Sequence, residues 1–143
     1  MEMPRTIILN RLALSTIVLA IVNFFATHFS WYSLLWWFDM PMHFLGGGVV
    51  FYLSAYVWAP ALRYVPLWRF VYESLITALL LGLLWEALEL FLYIHYGTPD
   101  FILLDSLSDV CFDVAGALLA AYLTIPHLIT SLSVQSNARH VVS

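Results

Sequence analysis

Four apolar runs, each long enough to cross a bilayer as a helix, leave this chain few folds to choose from. They fall at about residues 12–29, 42–58, 70–94 and 104–125, and a crossing helix needs about 17–25 predominantly apolar residues. Hydrophobic residues make up 63% of the 143 and charged residues only 10%, against roughly half and a quarter in soluble domains. A soluble fold of this size has no interior large enough to hide that surface. The expectation is an all-α integral membrane bundle of four transmembrane helices, a single domain over residues 1–130. A polar cytoplasmic tail follows at 131–143.

The breaks between the runs fit this reading. A basic segment precedes the first run, as it would in a signal peptide. Ala26-Thr27-His28 leads straight into Phe29 without a convincing small-x-small cleavage site, so a retained anchor is expected. Trp31, Tyr32, Trp36 and Trp37 then form an aromatic link typical of membrane–water interfaces. Pro60 closes the second run, Gly97 and Pro99 mark a turn at 95–100, and Pro126 closes the fourth run.

Orientation follows from the cations, which are all arginines. Arg5 and Arg11 precede the first run, Arg63 and Arg69 separate the second from the third, and Arg139 follows the fourth. The connections on the opposite side contain no Lys or Arg. With four crossings every cationic segment lands on one side, which the positive-inside rule makes cytoplasmic, together with both termini. The same scarcity excludes nucleic acid as a partner, because no basic stripe can displace counterions from phosphates. The single cysteine, Cys111, excludes an intramolecular disulfide and reads as a small core residue.

The acids gather on the other side. Asp39 and His43 stand one turn apart at the outer entrance of the second run. Glu86 and Glu89 are helical neighbours in the outer half of the third, and Asp105, Asp109 and Asp113 repeat every four residues down the first half of the fourth. At a helical rise of 1.5 Å per residue these groups occupy roughly the outer 15 Å of the bilayer. An acid at the centre of a span costs about 2.5–3.5 kcal/mol to insert, so intramembrane acids usually face a bundle interior and carry function.

No arginine is within reach to neutralise this cluster. What remains is protonation with hydrogen bonding, an imidazolium at His43, or a bound cation. Hard oxygen ligands favour Mg²⁺, Ca²⁺ or Mn²⁺, and a histidine among them leaves Zn²⁺ and Fe²⁺ open. The candidate ligand pool for a divalent cation is Asp39, His43, Glu86, Glu89, Asp105, Asp109 and Asp113. Asp39, His43, Glu86 and Asp109 are the candidate catalytic groups. The competing reading leaves the carboxyls neutral, as hydrogen-bonded glue between helices. Glu73 stands apart, one turn beyond Arg69, and reads as half of an interfacial ion pair.

Small residues accompany the acids. Gly46, Gly47 and Gly48 lie one turn beyond His43, costing helix stability but leaving space for a neighbour or a ligand. Ala115, Gly116, Ala117, Ala120 and Ala121 give the small-xxx-small spacing of close helix packing. His28 and His95 read as wet interfacial residues, while His127 and His140 fall on the cytoplasmic side.

The order Asp39-x-x-x-His43-Phe44, Glu86-x-x-Glu89, then Asp105-x-x-x-Asp109 with Gly116 seven residues on, resembles the VanZ-like and YjdF-like bacterial inner-membrane proteins. The resemblance covers roughly Asp39 to Tyr122. VanZ-like proteins commonly carry a Lys or Arg after the first aspartate, where this chain has Met40. Asp113 takes the place of an asparagine in Asp109-x-x-x-Asp113-x-x-Gly116. The Glu-x-x-Glu element and the Asp105–Asp109 pair look closer to the YjdF-like branch. The resemblance implies an envelope setting in the bacterial inner (plasma) membrane, but no established reaction.

Three classes of function fit these residues. A metal-dependent enzyme would act on a phosphorylated or otherwise polar lipid or envelope component, the cation bridging phosphate oxygens and activating water. It would do so without a basic residue to hold phosphate and without an obvious serine or cysteine nucleophile. A non-enzymatic binder or small transporter would use the acids to take protons or a cation, and could form a conduit only as a homo-oligomer. An accessory protein would pair its acids with a partner's basic residues, or keep them protonated as structural carboxyls. Membrane lipids surround the chain in every case.

Overall fold

The computed structural model describes residues 3–97 and 103–142, with side chains described at 5–61, 64–97 and 104–130. The chain forms α1 (Met3–His28), a single turn α2 (Trp31–Leu34), α3 (Asp39–Trp58), a 3₁₀ turn (Ala59–Arg63), α4 (Leu67–Tyr96) and α5 (Leu103–Val142). Among the described residues there is no strand. α1, α3, α4 and α5 are each long and apolar enough to cross a bilayer. Their outward faces carry exposed leucines and aromatics such as Leu14, Leu84, Ile94 and Tyr122, which lipid can cover at no cost because every helical backbone group is bonded within its own segment.

Local chemistry sets the helix ends, several of which lie beyond the apolar runs. α4 begins at Leu67, directly after Pro66 in an extended conformation. It ends where Gly97 takes the left-handed φ of 63° and donates its N–H to the Tyr93 carbonyl, a cap that glycine adopts without strain. α3 ends at Trp58, and Pro60 lies inside the 3₁₀ turn that follows.

Pro126 does not close the last helix. α5 runs through it to Val142, so residues 131–142 are helical. A proline removes one backbone donor, and near that gap the Arg11 guanidinium donates to the Leu123 carbonyl at 2.7 Å and to Thr124 Oγ1 at 3.2 Å. Cys111 also differs from expectation, being exposed on α5. Asp109, Asp113 and Gly116 occupy the inward face, and a residue two positions after Asp109 points to the opposite side of a helix. Residues 98–102, part of the expected outer turn, lie outside the described residues.

α3 is the hub of the bundle, packed against α5, α4 and α1. α4 also packs on α5, whereas α1 meets α5 lightly and lays no face against α4. Two glycines bring α3 and α5 together. A β-carbon on Gly47 would run into the backbone carbonyl of Asp113, and one on Gly116 into that of Phe44. Lipid offers no hydrophobic drive between helices, so close backbone packing of this kind carries their association.

The interior has three layers. At one end Ile8, Phe51, Phe70, Ala117, Ala121 and Leu128 belong to a large apolar cluster. At the other, Ala26, Phe38 and Met42 form a small one. Between them lie the buried polar groups His43, Glu86, Asp109 and Asp113. The described arginine side chains keep to the end with the large cluster. Arg5 lies over the Tyr56 ring at 4.4 Å, Arg11 reaches α5, and Arg69 Nε pairs with Glu73 Oε1 at 3.6 Å. The last pair is exposed, as expected of an interfacial bridge. Arginines and buried acids therefore sit at different depths of the bundle.

Candidate functional site

α3 supplies the first two groups. Asp39 opens the helix, where unpaired backbone N–H groups favour a negative charge. His43 lies one turn on, buried against α5. Its Nδ1 faces Asp113 Oδ2 at 3.4 Å and its Nε2 faces Asp39 Oδ2 at 3.8 Å, so one imidazole links an acid of α3 to an acid of α5. Asp109, one turn before Asp113 on the same face, is only 2% exposed.

Asp39, His43 and Asp109 each present a ligand atom, and these atoms lie within 4.8 Å of one another. Two donors on one ion can stand at most about 4.2 Å apart with the ~2.1 Å bonds of Mg²⁺ or Zn²⁺, and about 5 Å apart with those of Ca²⁺. Three donors at that separation stand roughly 2.8 Å from a shared centre, a little outside the ~2.3–2.6 Å of Ca²⁺ bonds, so they close onto an ion by a small inward movement. A smaller ion, with ~2.1 Å bonds, needs a larger inward movement of the same side chains.

The unpartnered atoms are the more telling feature. Asp109 Oδ1 and both carboxylate oxygens of Glu86 are buried without a hydrogen-bond partner, and Glu86 is 7% exposed. Leaving a buried polar group unmade costs about 1–3 kcal/mol, more when it is charged. Glu86 also lies within electrostatic reach of Asp109, as do Asp39 and Asp105, all repelling it, while His43 attracts it. Carboxyls acting as glue would bond to a neighbouring helix. Glu86 bonds to none among the described residues.

The seven candidates do not all meet. Asp39, His43, Asp109 and Asp113 come together, and Glu86 is buried on α4 within electrostatic reach of Asp109. Glu89, three residues after Glu86, lies on a cavity wall, where Trp85 Nε1 donates to its Oε1 at 2.8 Å. Asp105 is exposed near the start of α5. His28 and His95 are exposed and stack on Phe24 and Phe91.

Sequence reasoning missed Gly82. A β-carbon there would meet the Asp113 carboxylate, so α4 is hollowed at this point to admit an α5 side chain. The available signal was a glycine in mid-helix, which costs about 1 kcal/mol relative to alanine and needs a reason.

A cavity of about 1240 Å³ opens beside the cluster between α1, α3 and α4. Asn23, Tyr32, Asp39 and Glu89 line one end, and Leu19, Val50, Ala78 and Leu81 the other. The Tyr32 hydroxyl donates to Asn23 Oδ1 at 2.8 Å. Partial burial, and then the nearby Asp39 charge, push the pKa of this tyrosine above its ordinary value.

Residues 2–128 match a family described as "Predicted membrane protein (DUF2238)". No curated protein and no solved structure matches the chain. The match takes in all but the far end of α5, and with it every helix that contributes to the acidic layer. With four helices able to cross a bilayer, the chain is an integral membrane protein belonging to the DUF2238 family.

Proposed function

We propose that this protein is a VanZ-like or YjdF-like component of the bacterial inner membrane whose buried acids hold one divalent cation. The cation, Mg²⁺, Mn²⁺, Ca²⁺ or Zn²⁺, faces the polar head of a lipid or other envelope component in the outer half of the bilayer. The observation that carries this reading is the buried, unpartnered Asp109 Oδ1 in the group that Asp109 forms with Asp39 and His43, with the unpartnered Glu86 carboxylate within electrostatic reach of Asp109. Asp39, His43 and Asp109 are the direct ligands. Asp113 holds the His43 ring, and Glu86 adds negative charge. Glu89, at the cavity wall, is placed to meet the head group. A cation held there would polarise a phosphoryl or carbonyl oxygen and lower the pKa of a bound water.

Mn²⁺ tests the ligand set directly, because its binding can be followed by electron paramagnetic resonance on purified protein. Asp39→Asn and Asp109→Asn should each weaken Mn²⁺ binding by at least ~10-fold, since even outer-shell changes cost that much. Glu73→Gln, in the exposed pair with Arg69, should leave it unchanged. Equal binding by all three variants would remove the proposed centre.

Orientation belongs to the same proposal, with both termini cytoplasmic and the tryptophan link outside. In a Cys111→Ser background, single cysteines within residues 31–37 should react with a membrane-impermeant maleimide in intact cells, and those within 63–69 should not. The reverse pattern would turn the site to the cytoplasm.

A further inference from the structure

We infer that the cleft between α1 and α4 is a lateral entrance from the bilayer, and that it takes one acyl chain of a lipid whose head lies against the acidic layer. This deepens the reading above by naming the substrate class as a chain-bearing lipid, and it rests on that reading for what the head group meets.

The cleft exists because α1 and α4 both pack on α3 without an extended contact with each other among the described residues. Its floor is α3, where Gly46 and Gly47 offer no side chains and Val50 continues the surface. One wall is a single face of α1 formed by Thr16, Leu19 and Ala20. The other is formed by Leu81, Leu84 and Leu88 of α4. All of these residues lie within stretches able to cross a bilayer, so the gap opens sideways onto hydrocarbon. Engineered apolar cavities that stay dry are on the order of 150 Å³, far below the 1240 Å³ found here. A lipid-facing cleft of that size with leucine walls fills with hydrocarbon.

Length and polarity select the occupant. From Asp39 to Val50 on α3, and from Ala78 to Glu89 on α4, the lining extends roughly 16 Å along the helix axes. That is about half of a ~30 Å hydrocarbon core, the depth of one leaflet. Asn23, Tyr32, Asp39 and Glu89 cluster at one end, next to Trp31, Trp36 and Trp37, residues that favour the level of lipid head groups. A lipid of that leaflet fits along its whole length, tail between the leucines and head at the acids. His43 and Asp113 line the same cavity, so the head would touch the candidate centre without leaving the membrane plane.

The test uses the full chain reconstituted with a phospholipid that carries a diazirine in one acyl chain. After photolysis, labelled peptides should concentrate at Leu19–Ala20 and Leu81–Leu84 over Leu118–Leu119, which are exposed on α5 and more open than Leu19. Ala20→Trp, an exposed position, should abolish that enrichment, and Leu118→Trp should not. The enrichment should also persist in Asp109→Asn, which separates the groove from the metal. In the wild-type chain, Mn²⁺ binding without the labelling enrichment overturns the groove alone, and the enrichment without Mn²⁺ binding overturns the centre alone. Even labelling of all lipid-facing helices would overturn the inference. Cross-links between two copies joining Ala20 to Leu81 would do so too, since a second chain would then fill the cleft.

Discussion

One added methyl group at Gly47 or Gly116 is expected to damage this protein more than the same change at any other glycine of the bundle. Each new β-carbon would overlap a backbone carbonyl of the facing helix, Asp113 for Gly47 and Phe44 for Gly116. Backbone atoms cannot swing aside as a flexible side chain can, so α3 and α5 must separate along the layer that holds His43 and Asp113. Overpacking of this kind typically costs about 1–3 kcal/mol and sometimes more. The neighbouring glycines provide the control. A β-carbon on Gly46 comes no closer than 3.9 Å to Asp113 Oδ1, and one on Gly48 no closer than 3.7 Å to the Gly116 carbonyl, both ordinary contacts. Gly46→Ala and Gly48→Ala should be neutral or stabilising, because alanine is favoured over glycine by about 1 kcal/mol in a helix interior. Unfolding in mixed micelles titrated with SDS reads the series. Four variants of equal stability would mean that the α3–α5 crossing lies elsewhere.

The second large effect concerns the acids and changes sign with metal. If a cation neutralises this layer, a chelator leaves the wild type with the buried, unpartnered carboxyl oxygens of Glu86 and Asp109 uncompensated. Glu86→Gln/Asp109→Asn keeps the shapes, removes two charges and should melt higher than the wild type under chelation. Breaking up a buried set of charges by taking away a single partner usually costs 3–5 kcal/mol, whereas removing the charges themselves is often neutral or stabilising. With a divalent ion at about 100 times its Kd the wild type gains about 2.7 kcal/mol. For a chain of this length that corresponds to several degrees in Tm. The double variant gains nothing, so the order of stability reverses. A wild type more stable than the variant under both conditions would favour carboxyls that hold the fold by hydrogen bonds.

The four crossing helices are legible in the sequence because lipid forces each segment to satisfy its own backbone, which makes length and hydropathy sufficient evidence. The common end of Arg5, Arg11 and Arg69 is legible for the same reason, since four crossings alternate direction. Asp39 with His43, and Asp109 with Asp113, are pairs four residues apart on single helices, and that spacing alone puts each pair on one face. Asp105 breaks the pattern for a geometric reason. Each four-residue step turns the helix 40° beyond a full revolution, so two steps move Asp105 away from the direction of Asp113 and out to the rim.

Other features depend on contacts that no single helix encodes. Glu86 and Glu89 both enter the candidate ligand pool from the sequence, and only helix packing buries the first and leaves the second at the cavity wall. Gly82 matters because Asp113 arrives opposite it. The cleft between α1 and α4 is a contact that does not form, and hydropathy carries no mark of it. Pro126 by its own chemistry favours a helix end, yet α5 continues through it, with Arg11 of α1 donating to the nearby Leu123 carbonyl.

Metal content of the purified protein, measured with melting in the presence and absence of chelator, tests the proposed cation centre most directly. One divalent ion per chain is expected in the wild type and none in Glu86→Gln/Asp109→Asn, with chelation lowering the Tm of the wild type only. No stoichiometric metal in the wild type near neutral pH, together with identical melting with and without chelator, would contradict a cation centre and leave a structural layer of neutral carboxyls in its place.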